Sequence, residues 1–178
     1  MMALKMIPTG QEVLVSLISI ALLSGCASND SGEAVAKSAF EALKRKDWNA
    51  YKELTTTPAS IALSADKVSP FKKQMTYVGS SIKTEEEERI KSVFDAYCQN
   101  DCLKDASIAS VTQSDSSSMK IPWSHNECVI PIYRYKIGIN GKLSESICVV
   151  PDFVVTKWKN KYYLLYLKFE NQGDQSGR

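Results

Sequence analysis

The chain has 178 residues, with 22 basic and 20 acidic side chains, a formal net charge of +2 at neutral pH and 44% hydrophobic residues. That is enough apolar material for one core and too weak a charge of either sign for a nucleic-acid surface, so a single domain is expected and nucleic acid is not expected as a partner.

Met1, Met2 and Lys5 precede an apolar run, Val13–Leu23, which ends in Leu23-Ser24-Gly25-Cys26 before the chain turns polar at Ala27-Ser28-Asn29-Asp30. The run makes roughly 16 Å of helix at about 1.5 Å per residue, far short of the ~20 residues a bilayer crossing needs. Its length is that of a signal-peptide core, with Glu12 offsetting the weak positive charge ahead of it. Leu-Ser-Gly-Cys resembles the lipobox of bacterial lipoproteins, in which the cysteine thiol takes a diacylglycerol and becomes the new N-terminus. The resemblance implies a signal peptide over residues 1–25 and lipidation at Cys26. Two or three acyl chains hold a protein on a membrane where one is marginal. Ala27 after the lipid site implies, for a diderm host, the periplasmic face of the outer membrane. An ordinary cysteine after an ordinary secretory signal is the plainer alternative. Residues 26–32 read as a lipid-anchored flexible tether, 33–170 as the domain and 171–178 as a disordered tail.

From Glu33 to Lys46 the apolar Ala36, Ala39, Phe40 and Leu43 recur at helical spacing, with Asp30 and Glu33 as a capping box. Asp47 is placed to cap a second short helix carrying Trp48, Tyr51 and Leu54. A third is expected after Ser69-Pro70, with Phe71, Met75 and Val78 in line and Gly79 as its stop. A fourth begins at Thr84, boxed with Glu87, and buries Ile90, Val93, Phe94 and Tyr97. Its acidic run, Glu85 to Glu88, points around the helix and reads as a solvated first turn at the positive end of the dipole rather than as a metal site.

After Cys102 the period changes to two. The expected strands are Ala106 to Ser114, Glu127 to Ile139, Leu143 to Thr156 and Lys161 to Phe169, with Ser114 to Ser118 as a loop. Odd-numbered residues from Val129 to Ile139 and from Leu143 to Val155 share apolar character and are expected to face the core, while Pro131, Glu145 and Pro151 mark edges or bulges. Helices followed by an antiparallel meander give an α+β fold, with N-terminal helices on one face of a curved four-stranded sheet. The helix pair joined through Ala42 to Trp48 and the closing strands Val154 to Leu167 resemble the nuclear transport factor 2-like, or cystatin-like, roll. The likeness is one of pattern over most of residues 33–170, so it implies a fold and little about activity.

Cys98, Cys102, Cys128 and Cys148 remain beside Cys26, an even number in an exported chain, and disulfides are the expectation. Cys128 and Cys148 share even numbering, and a turn centred on Gly138 would let them meet across adjacent strands. That leaves Cys98 with Cys102 as a tight local loop. A four-cysteine zinc site lacks paired C-x-x-C ligands, so no metal and no cofactor are expected.

His125, the only histidine, has Ser124 and Glu127 beside it but no triad spacing, and reads as a solvated loop residue. Some enzymes of the roll superfamily set an Asp or His with a Tyr inside the cone between helices and sheet. Asp47, Tyr51, Tyr133 and Tyr135 are the residues here that fit those types; a helix cap and packed tyrosines are the plainer reading. Trp48, Trp123 and Trp158 read as packing residues. The C-terminal half is basic, and Arg134 and Lys136 are expected on an outward face suited to anionic head groups or an acidic partner. The leading expectation is a non-enzymatic, lipid-anchored envelope lipoprotein that binds a partner protein or a small apolar ligand. A lipid-anchored isomerase-like enzyme with an Asp/Tyr pair, or a scaffold subunit of a secretion or conjugation apparatus, are the alternatives.

Overall fold

The computed structural model describes residues 29–65, 72–121, 128–144 and 148–169. Four helices, α1 (Gly32–Lys44), α2 (Trp48–Leu54), α3 (Pro58–Ala65) and α4 (Lys72–Gln99), precede four strands, β1 (Ser107–Lys120), β2 (Val129–Asn140), β3 (Asp152–Trp158) and β4 (Lys161–Lys168). The strands form one antiparallel sheet in the order β1-β2-β3-β4 and the helices pack against it, which is the expected α+β arrangement. Cys26, Ser69-Pro70-Phe71, the segment Trp123 to Glu127 with His125, Glu145, Ile147 and the tail lie outside the described residues.

The helical half follows local capping chemistry with two departures from expectation. Ser31, not Asp30, caps α1 by accepting the Ala34 amide at 3.0 Å, and Glu33 pairs instead with Lys37 at 2.6 Å. Asp47 caps α2 as expected, accepting the Ala50 amide at 3.0 Å. α3 had no counterpart among the expected helices. Pro58 opens it, the Thr57 hydroxyl accepts the Ser60 amide at 3.1 Å, and the Glu86 carboxylate accepts the Ala59 amide at 3.1 Å. The third and fourth expected helices are one, since α4 runs through Gly79 and Thr84 without a break. Thr84 donates its hydroxyl to the Ser80 carbonyl at 3.0 Å and caps nothing. A mid-helix glycine costs about 1 kcal/mol, less than ending one helix and nucleating another. The acidic run therefore sits within a helix rather than at its start.

In the sheet, β1 pairs with β2 along its whole length, from Ser107↔Asn140 to Lys120↔Val129, with register shifts near Ser110 and Asp115. The serine-rich stretch expected as a loop is thus strand. As an edge strand β1 is exposed nearly throughout, so it needs no apolar alternation, and its polar side chains suit an edge that must not pair further. β3 starts nine residues later than expected. Gly141, at φ 94°, turns the chain against the Asp105 carbonyl, where any Cβ would collide with backbone. The Ser144 hydroxyl then donates to the Asp101 carbonyl at 2.8 Å. The segment after β2 docks on the turn behind α4 instead of continuing a hairpin.

The β2–β3 register, Ile132↔Thr156 to Tyr135↔Phe153, pairs odd with odd as the shared parity requires. Tyr135, Ile137, Phe153 and Val155 face Val35, Ala36, Ala39 and Phe40 of α1 in the main core, together with Leu164 and Leu167 of β4. Gly32 lets α1 approach closely, because a Cβ there would meet the Tyr135 ring. Parity as a guide to burial fails at the start of β2: Val129 is 57% exposed and Ile130 is buried. There the opposite face is the covered one, as Ile121, Ile130 and Leu165 join Ile61 and Ala62 of α3 in a second, smaller cluster.

The cysteine pairing is corrected. Cys102 bonds Cys148, with Cα atoms 5.3 Å apart, while Cys98 and Cys128 are not disulfide-bonded. The β2–β3 ladder runs only from Ile132↔Thr156 to Tyr135↔Phe153; Cys128 precedes β2 beyond its Ile132 end, while Cys148 precedes β3 beyond its Phe153 end and is bonded there to Cys102. Cys98, in the last turn of α4, aims its thiol at the Leu43 carbonyl, 3.6 Å away, and not at Cys102. We predict that the non-reduced, denatured protein is alkylated at Cys98 and Cys128 and not at Cys102 or Cys148, read by peptide mass mapping. Cys148→Ala should lower stability in urea by about 4 kcal/mol, the loop-closure value for the 46-residue separation.

Candidate functional site

The cone between α1 and the sheet, where the resemblance would put an Asp/Tyr pair, is filled by the main core. Each candidate there already holds a structural post. Asp47 is spent on the α2 cap. Tyr133 packs on Tyr162 with ring centres 6.0 Å apart. Tyr135 donates its hydroxyl to Gln113 Oε1 at 3.3 Å, and burial, with Tyr162, Tyr133 and Glu33 nearby, raises its pKa. Tyr51 lies between Trp48 and Phe94, at 6.1 and 4.9 Å from their ring centres. The structure brings Tyr51 together with aromatic rings and Tyr133 with Tyr162, and it places no carboxylate of the expected pair at either.

Open space lies elsewhere, where α4 crosses the segment joining α2 to α3. Two neighbouring clefts share Thr57 and Ile90. One, of about 230 Å³, has Tyr51, Ile90, Val93, Met119, Leu165 and Leu167 as its apolar lining, and Glu86, Arg89 and the half-exposed Tyr166 complete it. The other, of about 260 Å³, is polar, lined by Lys52, Thr55, Thr56, Ser60, Lys83 and Glu87, with Trp48 beside them. Local chemistry explains their position. Thr56 donates its amide to the Leu164 carbonyl at 2.9 Å, which ties the α2–α3 connection to the outer edge of β4. Glu86 ties α4 to the start of α3. Two fixed points hold the walls, and the space between them is left unfilled.

The hydroxyl that the apolar cleft holds is fixed in one protonation state. Burial drives the Tyr51 hydroxyl far above its ordinary pKa, with Cys98 adding to the shift, so it stays protonated at any working pH. General acid–base work needs a group that titrates near the operating pH. The volume is smaller than the ~300 Å³ at which drug-sized sites begin, so it admits one side chain or a short apolar group. Among the described residues no three His, Cys, Asp or Glu side chains converge to hold a metal ion, and no helix is long and apolar enough to cross a membrane. His125 lies outside the described residues.

Charge on the sheet is also rearranged relative to expectation. Arg134 does not stand free on an outward face, because Asp115 and the buried Asp152 each lie 3.9 Å from its guanidinium. Lys136 is exposed. The remaining thiol near the helix ends, Cys98, is half-buried; burial pushes its pKa up to about 11, Lys46 and Lys91 pull it down, and Asp95 and Asp101 push it up.

The sequence marks Tyr51, and Ile90 and Val93 as a buried helix stripe, but not the strand side of the cleft, since Leu165 and Leu167 read as ordinary strand residues and Met119 falls past the end of the expected first strand. Glu86 carried one usable signal, an acidic side chain able to meet a proline-opened helix that had not been recognised.

Two measurements probe these assignments. Tyr51→Ala should cost about 3–5 kcal/mol in urea unfolding, as for other large aromatic truncations, whereas Tyr51→Phe keeps the packing and should cost less than about 1.5 kcal/mol. Cys98 reacts only as the thiolate, so at pH 8 its alkylation in the folded protein should run about 100-fold slower than that of a thiol with pKa near 9, climbing about tenfold per pH unit towards pH 11. The sign for stability follows: the raised folded pKa keeps its contribution intact below about pH 9 and loses it as pH rises to about 11.

No family model, no curated protein and no solved structure matches the chain, so the function is argued from its own residues.

Proposed function

We propose that the chain is a lipid-anchored envelope lipoprotein, held on the membrane through Cys26, whose folded part binds a small apolar ligand or the side chain of a partner protein. The apolar cleft between α4 and β4 carries the binding half of this reading. It has an apolar lining, two charged residues to orient what enters and, in Tyr51, a hydroxyl that does not ionise. The Leu-Ser-Gly-Cys sequence carries the anchoring half. The Cys102–Cys148 bond is consistent with it, since structural disulfides belong to oxidising compartments such as the periplasm. The filled cone and the posts taken by Asp47, Tyr133 and Tyr135 speak against the isomerase-like alternative.

The test is an intact mass spectrum of the protein extracted from membranes of a diderm expression host. The expected mass is that of a chain beginning at acylated Cys26, and Cys26→Ser should leave the precursor uncleaved and without lipid. A chain cut elsewhere and free of acyl groups would overturn the anchor. In a native spectrum, an adduct that disappears in Met119→Trp, which fills the cleft, assigns a small ligand; an oxidised, adduct-free protein assigns a protein partner.

A further inference from the structure

The turn between β3 and β4 carries a cluster of lysines. Lys157, Trp158, Lys159, Asn160 and Lys161 occupy it, with left-handed backbone at Lys159 (φ 48°) and Asn160 (φ 66°), the geometry of a two-residue hairpin turn. The three lysines are exposed. Lys157 Nζ lies 5.4 Å from the centre of the Tyr162 ring and Lys159 Nζ 5.7 Å from that of Trp158. Among the described residues none of the three takes part in an ion pair, in contrast to Arg134 with its two carboxylates. The acids nearest the start of α1 are Asp30 and Glu33, and Glu33 is bound to Lys37. Both rings are half-buried, Trp158 donating its indole N–H to Ser64 Oγ at 3.0 Å and packing on the smaller cluster, Tyr162 packing on the main core. The turn therefore presents lysine ammonium groups over the partly exposed flanks of two anchored rings, and aromatic rings favour head-group level at a membrane.

A second, independent observation says where this turn stands. The Asn29 carbonyl accepts the Tyr162 amide at 2.9 Å, two residues from the turn, so the chain is fastened to the sheet there. Only Ala27 and Ser28 separate Asn29 from Cys26. Three residue steps span at most about 11 Å even when fully extended. A lipid on Cys26 fixes that residue at the membrane surface, which leaves the β3–β4 end of the sheet no room to stand away from it.

We infer that the β3–β4 turn docks on the head groups of anionic phospholipid in the same bilayer that holds the Cys26 acyl chains, with the exposed Lys157, Lys159 and Lys161 meeting lipid phosphates above the core-anchored rings of Trp158 and Tyr162. The inference rests on the lipid-anchor reading and adds an orientation to it. Each lysine at an anionic surface contributes about fivefold in affinity, and the contribution is screened by salt.

The experiment takes the acylated full-length mature protein into vesicles of phosphatidylcholine alone or of phosphatidylcholine and phosphatidylglycerol in equal parts. Lysines are acetylated with an amine-reactive ester and mapped by peptide mass spectrometry. On the anionic vesicles, labelling of Lys157, Lys159 and Lys161 should slow at least fivefold relative to the neutral ones, with Lys83 and Lys52 unchanged as internal controls. The difference should vanish in high salt and in the Lys159→Glu, Lys161→Glu double variant at Lys157. Equal labelling on both vesicles, or protection that ignores lipid charge, as a contact between two copies would give, overturns the docking while the anchor stands. The peptide map also reports the state of Cys26, and an unacylated Cys26 overturns the anchor and the docking together.

Discussion

Four residue pairs hold the two halves of the sheet together. β1 and β2 share a long ladder and β3 and β4 another, but β2 meets β3 only from Ile132↔Thr156 to Tyr135↔Phe153. So short a seam is marginal without support from packing, and much of the rest of the molecule serves to brace it. α1 lies across it, with Phe40, Ala36 and Ala39 against Tyr135, Phe153 and Val155 on either side of the seam. Thr156 donates its hydroxyl to the Pro131 carbonyl at 2.7 Å at one end, and Arg134 faces Asp152 across the seam. Cys102–Cys148 ties the chain entering β3 to the turn ahead of β1, a covalent brace around the same seam.

The seam also explains what could and could not be foreseen. Alternation in Tyr133, Tyr135 and Ile137 is legible because this part of β2 buries one face against α1, and a period-two pattern reports that burial directly, whereas β3 is buried on both faces from Asp152 to Thr156. The α2 cap at Asp47 was legible because an N-cap is a local event. The length of β1 was not, since an exposed edge strand has no buried face to write into its sequence and is defined by pairing with β2. α3 carries a local start in Thr57 and Pro58, but at eight residues it is too short to write a clear helical period, and Glu86, 27 residues away, adds to its cap. The disulfide depends on where the chain goes after Gly141, and a left-handed turn against the Asp105 carbonyl sends Cys148 to Cys102 rather than into a hairpin. Of the candidate site, Tyr51 was visible as a chemical type, but the cleft arises from helices crossing, which no local pattern encodes.

The two edges of the sheet are protected in different ways. β1 presents serines, a threonine, a glutamine and an aspartate to solvent and relies on polarity. β4 is apolar and relies on cover, since Asn29 bonds Tyr162 and Thr56 bonds Leu164 along its outer edge. That cover is incomplete towards the end of the strand, where Leu165, Tyr166 and Leu167 face the cleft under α4. The cleft is therefore the place where the edge of β4 runs out of chain to hide it, and an apolar ligand or a partner's side chain would complete what Thr55 and Thr56 begin.

β4 then acts as a ruler between the two surfaces argued above. Tyr162 is fastened beside Asn29 at the turn, and Leu167 lines the cleft about 16 Å further along the strand. A phospholipid head-group layer is some 5–8 Å deep, half the difference between a bilayer's full and hydrocarbon thickness. Were the turn to lie on the head groups with the strand rising from them, the cleft would clear that layer and open into the aqueous space. On the proposed anchoring, the short link to Cys26 and the unfilled edge of β4 are compatible: one end of a single strand would meet lipid, and the other would stay open to a ligand or partner.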